Sequence, residues 1–428
     1  MRVLMFGWEF PPHIAGGLGT ACYGMTKGLA HANVDVLFVM PSASGDEDQS
    51  SVRIINASDV AASDSGWNVN EFLDRVKFLR VGSNLHPYID PSDFTELVEK
   101  EKKSQSEEFK FYFRQKYRFS GKYGKNLMEE VARYAMVAGA IASSEQFDVI
   151  HAHDWLTYLA GIAAKRVSGK PLVIHVHATA FDRATSIDPE VFRLEKMGME
   201  EADKVITVSN LTRNIVINKY GIDPSKVVTV HNAVDFSGRE EIEVKRGVND
   251  KVITFLGRIT FQKGPEYFIE AAAKVLKRCP EARFVMAGSG DMMNRCIRHV
   301  ARLGISDRFH FTGFLRGDDV QKMFALSDVY VMPSVSEPFG ISPLEAMKSD
   351  VPTIISKQSG VAEVLKYAIK VDFWDIDALA DAMYGLLRYP NLSKMAIEKG
   401  RREVDNLKWD SAALKVKKVY QSAIDNSK

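Results

Sequence analysis

The chain has 428 residues, 46% of them hydrophobic and 26% charged, with a formal net charge of +1. That balance makes no electrostatic case for nucleic acid or an anionic membrane. No stretch approaches the ~18 apolar residues of a membrane-spanning helix, although peripheral membrane contact stays open. Three scattered cysteines, Cys22, Cys279 and Cys296, fit a reducing cytoplasm. The opening "MRVLMFGWEFPP" has too short an apolar run for a signal peptide and reads as a first strand. "VDVLFVM", "FDVIHAH", "PLVIHVH", "DKVITVS" and "KVVTVHN" read as further strands, with helices at Tyr23–His31, Leu156–Val167 and Asn210–Lys219. A polar stretch near Asp235–Asp250 reads as a linker. A second series follows: "KVITFLG", "ARFVMAG", "RFHFTGF", "DVYVMPS", "VPTIIS" and "AIKV", and then a helical tail from Asp375. Strands alternating with helices predict parallel sheets, and two such series predict two doubly wound domains with a cleft between them.

Residues 42–125 fit this scheme worst. Charges mixed with aromatics there read as a solvated helix with an aromatic packing face, or as a carbohydrate-facing surface of the first domain.

The stretch "SEPFGISPLEAM" places Glu337 and Glu345 eight positions apart. Ser342 suits an N-cap and Pro343 the first helical position, so Glu345 falls where a capping box wants a carboxylate. Glu337 has no such local explanation. It lies on the loop leaving a strand, the end at which open α/β sheets bind ligands.

Other strand ends carry chemistry as well. "PPHIAGGLGTA" has Gly16, Gly17 and Gly19 before a helix starting near Thr20; it is an anion-binding turn or a plain tight turn. In "AGSGDMMN", Gly288 and Gly290 form a lone G-x-G, weak for a dinucleotide and compatible with a nucleotide-facing turn. In "FLGRITFQKGPEYF", Arg258 and Lys263 flank a helix start, two cations suited to a diphosphate or scattered on a surface. His151 with His153, and His175 with His177, share strand faces. Neither pair has a third ligand of metal spacing, so no metal site is assigned. Asp46–Asp48 and Asp375–Asp377 sit in a loop and at a helix start, where aspartates cap.

Together these motifs resemble family 4 retaining glycosyltransferases of the GT-B fold, and among them the glycogen and starch synthases. The resemblance spans nearly the whole chain and rests on "GGLG", "HAHDW", "HNAVD", "GRITFQKG", "AGSGD" and the E-x7-E pair. It implies two Rossmann-like domains, 1–235 on the acceptor side and 236–408 for the nucleotide sugar, with a helix at 409–428 returning to the first domain. It implies Glu337 at the donor sugar, Glu345 at the ribose, and Arg258 and Lys263 at the diphosphate. His153 would lie by the reacting centre, Gly16 and Gly17 over the phosphates, and amides near Phe339, Gly340 and Ile341 at the sugar. No cofactor or metal is implied. The partners would be a nucleotide-sugar donor and a glucan or other glycan acceptor, with no nucleic acid.

Two positions depart from the bacterial ADP-glucose enzymes. Ile14 stands where they have lysine, and His177–Ala178 where they have "HN". UDP-glucose is therefore expected to serve at least as well as ADP-glucose. The rival readings are a family 4 transferase for another sugar or a lipid-linked or small-sugar acceptor, a nucleotide-sugar epimerase, and a non-catalytic binding protein. Retention of all the expected charged residues argues against the last two.

Overall fold

The computed structural model describes residues 1–13, 17–62, 116–121, 127–183, 187–234 and 250–427. Gly16 and Ile14, most of the aromatic-rich stretch and the linker at 235–249 lie outside the described residues.

The first half of the chain forms a parallel sheet from β1 (Arg2–Phe6), β2 (Asp35–Met40), β3 (Arg53–Asn56), β4 (Val149–His153), β5 (Leu172–Val176), β6 (Lys204–Thr207) and β7 (Val227–Thr229). The strand order is β3-β2-β1-β4-β5-β6-β7. The second half forms β8 (Lys251–Leu256), β9 (Ala282–Ala287), β10 (Phe309–Gly313), β11 (Val329–Met332), β12 (Thr353–Ser356) and β13 (Ile369–Val371). These are also parallel, in the order β10-β9-β8-β11-β12-β13. The order reverses at β1/β4 in one sheet and at β8/β11 in the other, and such switch points open crevices at the carboxyl ends of the strands.

Both sheets are covered on both faces. Along β1, Leu4 and Phe6 enter one core while Val3 and Met5 enter another. Along β11, Val329 and Val331 alternate in the same way with Tyr330 and Met332. A period of two with apolar residues at every position is the signature of a strand buried on both sides. The sequence reading missed β3: "RIIN" is a half-buried edge strand only four residues long. It also began the first helix too late. That helix runs Gly17–His31 and so takes in Gly17 and Gly19, two of the glycines read as a turn.

The last helix, Trp409–Asn426, packs on the first domain as expected. Gly24 and Gly28 make room for it: a Cβ at Gly24 would lie 2.1 Å from the Trp409 indole nitrogen, and one at Gly28 2.7 Å from the Trp409 carbonyl. Val416, Tyr420 and Ala423 complete the core that holds Val3, Met5 and Cys22. The chain returns beside the point where it left, since the Val234 amide donates to the Leu407 carbonyl at 3.4 Å. No helix among the described residues is long and apolar enough to cross a membrane.

Candidate active site

The second domain supplies its half of the site from loops after β8, β9 and β11. The loops after β8 and β9 are pressed backbone to backbone. Ile259 donates its amide to Ser289 at 2.9 Å, and Met292 donates to Ile259 at 3.0 Å. A Cβ at Gly288, whose φ is +142°, would lie 1.8 Å from the Gly257 carbonyl, and one at Gly290 2.3 Å from that of Ile259. These two glycines thus have a packing reason of their own, beyond the nucleotide-facing role read from the sequence. Gly264, with φ +67°, brings the start of helix Pro265–Leu276 against the Pro333 carbonyl, 2.1 Å from where a Cβ would stand. Lys263 is thereby carried to the end of β11.

There its ammonium closes on the carboxylate of Glu337, which also accepts from the Ser334 hydroxyl at 3.3 Å. Glu337 is only 7% exposed. Its backbone is pinned on both sides, donating to Gln358 at 3.0 Å and accepting from Gly360 at 2.8 Å. Local sequence offered Glu337 no role, and its partner is not local: it is one member of a partly buried ion pair with Lys263, 74 positions away. Arg258 is exposed, and its guanidinium has no ion-pair or hydrogen-bond partner among the described residues. It is a cation free to meet an anion.

The capping-box reading of Glu345 also fails. The helix runs Ser342–Lys348, Ile341 precedes it in a helical conformation, and no side chain caps it. The Ser342 hydroxyl is engaged by the Tyr330 phenol at 2.7 Å. A tyrosine reaching up from the strand below took the group that the local sequence assigned to the cap. Burial pushes the Tyr330 phenol well up; its bond to Ser342 opposes the rise, and the charges of Glu337 and Glu345 add to it. Both members of E-x7-E thus bear on one buried hydroxyl. Phe339 is buried, and its carbonyl accepts from Val361 at 2.7 Å. Gly340, at φ +99°, sits over Met332 and Glu337, where a Cβ would come within 3.1 Å of both side chains. Ile341 is half-buried at the helix start.

The first domain contributes the ends of β1, β4 and β5. A Cβ at Gly17, which opens its helix, would meet nothing within 4 Å among the described residues. Two residues on, the Gly19 amide is already taken by the buried carboxylate of Glu9, at 3.1 Å. Sequence reasoning did not single out Glu9, because a glutamate in "WEF" on a strand end carries no motif.

His153 is fully buried, and its Nδ1 lies 2.9 Å from Nε2 of His177. His151, His153, His175 and His177 form one block of rings with centroids 4.1–5.3 Å apart. Burial drives His177 down to about 3. Burial, and then repulsion between neighbouring rings, drives the other three well below the usual histidine range. All four are neutral at neutral pH. Asp154, at φ +59°, turns the chain into helix Trp155–Ser168 and accepts from the His177 and Ala178 amides at 2.7 and 3.3 Å.

The fold provides a third ligand that sequence spacing could not show. Cys22, His153 and His177, and likewise His151, His153 and His175, bring ligand atoms within 4.8 Å of one another. Burial, then the charges of Glu9 and Asp154, push the Cys22 thiol well up, which opposes the thiolate a metal wants. The rings of the second group lie face to face at 10–35°, the packing of neutral imidazoles.

The two domains meet through polar contacts. Ser336 donates its hydroxyl to Asp182 at 2.6 Å. Glu363 accepts from the amides of Asn210 and Leu211 at the start of helix Asn210–Tyr220, and lies 2.8 Å from Nε2 of His231. Of the aspartates, Asp375 takes the capping role expected of it, while the partners of Asp46 and Asp48 were not read from the sequence: Asp46 pairs with His13, and Asp48 with Tyr23.

Residues 98–237 match the family model of Glycosyltransferase Family 4, and residues 238–403 that of Glycosyl transferases group 1. An uncharacterized glycosyltransferase of Methanocaldococcus jannaschii is 27% identical over 99% of both chains. A glycogen synthase of Mycobacterium tuberculosis is 23% identical over 99% of this chain and 95% of its own. Among solved structures, the sucrose-phosphate synthase of Thermosynechococcus elongatus superposes with a TM-score of 0.73 at 17% identity, over 99% of both chains.

Proposed function

We propose that this protein, a family 4-like glycosyltransferase of the GT-B fold, moves a glucosyl unit from a nucleotide-glucose to the non-reducing end of an α-1,4-glucan. The observation that carries the reading is the constellation after β8 and β11: Arg258 exposed and unpartnered, beside the Lys263–Glu337 pair and the helix start that bears Glu345. A full-length relative named glycogen synthase favours the glucan acceptor.

In this reaction the bond from the sugar's anomeric carbon to the diphosphate oxygen breaks. A bond from that carbon to an acceptor hydroxyl oxygen forms on the same face. The hydroxyl proton passes to the departing diphosphate, so no general-base carboxylate is needed. The main demand is negative charge on the leaving group, which positioned cations and helix N-termini meet. Arg258 would grip the diphosphate with its planar fork. Lys263 has three donors, so it can hold Glu337 with one and offer the others to phosphate. Glu337, fixed by Lys263 and by its pinned backbone, would accept from the sugar hydroxyls, and Glu345 from the ribose. His153 has no exposed surface in this arrangement, so it would meet the sugar only after a local shift uncovers it, and would then donate or accept a hydrogen bond without adding charge. Gly17 leaves the first domain's helix start open to the phosphates, and the backbone at Phe339–Ile341 would line the sugar.

The reading includes retention of the α configuration and independence from added metal. The test is a screen of UDP-, ADP- and GDP-sugars against glycogen, maltose and lipid extracts, with product anomers read by NMR. Transfer from UDP-glucose to glucan with α product, unchanged in EDTA, is the expected result. Turnover only on a lipid or small-sugar acceptor would replace the glucan reading. Loss of activity in chelator, restored by a divalent ion, would remove metal independence.

A further inference from the structure

Glu337 is flanked by a serine whose hydroxyl is claimed by the opposite domain. Ser336 donates to Oδ1 of Asp182 at 2.6 Å, across the domain boundary. Asp182 is 3% exposed, and its other oxygen is saturated by the amide and hydroxyl of Thr179, each at 2.8 Å. A buried carboxylate with every donor fixed in place is a rigid acceptor. The loop that carries it is held just as firmly. Arg183 bonds the Ala178 carbonyl at 2.7 Å and Glu195 at 2.5 Å, and lies 3.5 Å from Asp154. Asp154 in turn fixes the His177 amide, and His177 meets His153. Polar contacts, joined through the backbone of residues 178–183, therefore run from Ser336, beside Glu337, to the histidine end of the first domain.

We infer that Asp182, acting through Ser336, is a positioning residue for Glu337: the contact sets the loop bearing the sugar-binding carboxylate relative to His153. The inference rests on Glu337 serving the donor sugar in the proposed reaction. The backbone of Glu337 is already fixed within its own domain, so the contact orients one domain on the other and does not shape the loop. Its loss lowers the fraction of bound enzyme in the aligned arrangement, which reads as a lower kcat.

Two measurements test this. In the first, Ser336→Ala, which leaves the charges and the apolar packing in place, lowers kcat about 10- to 100-fold, the range expected for losing one hydrogen bond to a buried carboxylate. The donor KM moves less than about 3-fold, and Ser336→Thr, which keeps the hydroxyl, restores turnover. Wild-type kcat in Ser336→Ala, or a loss that threonine does not repair, overturns the role. In the second, amide hydrogen exchange on the donor-free protein compares wild type with Ser336→Ala. The substitution speeds exchange in residues 177–183, which belong to the other domain, and leaves helix Leu127–Ser144 unchanged. Unchanged exchange at 177–183 shows that the contact does not hold the domains and also overturns the inference. The exchange measurement needs no substrate. A wild-type protein inert toward every nucleotide sugar would end the proposed function, and the contact would still be judged by exchange.

Discussion

Lys263 and Glu337 come from loops 74 positions apart in sequence and close on each other as a partly buried ion pair. Arg258, five residues before Lys263, has no partner among the described residues. The two cations should therefore behave differently when removed. Arg258→Ala removes no side-chain hydrogen bond or ion pair among the described residues. Its melting temperature should match wild type within the ~0.5 kcal/mol usual for surface changes, while kcat falls about 10²–10³-fold. Lys263→Ala leaves the Glu337 carboxylate buried without its counter-charge. It should lose both turnover and about 1–3 kcal/mol of stability. Equal stability losses in the two variants would contradict this asymmetry.

Ser342 does not cap the helix that bears Glu345, because its hydroxyl is engaged by Tyr330. Glu345→Gln should therefore show itself in donor kinetics. A lost charge-assisted hydrogen bond of roughly 1.5–3 kcal/mol corresponds to about a 10- to 150-fold fall in kcat/KM for the donor. Acceptor KM should stay unchanged. Donor kinetics equal to wild type would remove Glu345 from the nucleotide site.

The four-histidine block makes acid the protein's weak side. Each ring is neutral when folded, with its proton affinity lowered by burial. The unfolded chain binds those protons below about pH 6.5, and the folded chain does not. Stability therefore rises with pH through this range and is lost as pH falls below it, by up to about 1.4 kcal/mol per pH unit for each group. Both nitrogens of His175 lack hydrogen-bond partners among the described residues. His175→Phe should fold, and should reduce the slope of stability against pH between 6 and 4.5 by about one proton. Denaturant titrations across that range measure the slope, and an unaltered slope would mean His175 takes no part.

Glu363 works in the opposite chemical sense. Burial raises its proton affinity, but the hydrogen bonds from His231, Asn210 and Leu211 outweigh that and hold it below the usual glutamate range. A depressed carboxylate stabilises above its unfolded value, about 4.3, and that contribution is lost as pH falls through the folded value. Glu363→Gln should melt below wild type at pH 7, and the two melting curves should converge as the pH drops below 4. A constant difference across that range would show that the carboxylate's charge does not hold the clasp.

The alternation of strands and helices was legible because each strand of a doubly wound sheet is apolar on both faces. β3 was not, being short, at an edge and half-buried. E-x7-E and the Arg258/Lys263 pair were legible as motifs because local spacing sets each on a strand-end loop. Their pairing was not: the bond from Lys263 to Glu337 depends on β8 and β11 being neighbours, and strand order is absent from local sequence. The same holds for Glu9 on the Gly19 amide, for Ser336 on Asp182, and for the third member of each metal-capable group. All of these join groups from different elements of the fold. The capping box at Ser342 failed for a related reason, since a tertiary partner outcompeted a local one.

The return of helix Trp409–Asn426 to the first domain fixes an order of biosynthesis. Val3, Met5 and Cys22 are translated before the second domain, yet the wall that covers them, including Val416, Tyr420 and Ala423, is made after it. During the whole translation of the second domain, one face of the first sheet is covered only in part, by helix Gly17–His31, leaving apolar surface that a nascent chain must keep from aggregating. A fragment ending at residue 234 would inherit that uncovered surface permanently. Fusing residues 409–426 to it through a short flexible linker should turn an aggregating fragment into a soluble one, because Val234 and Leu407 already lie side by side.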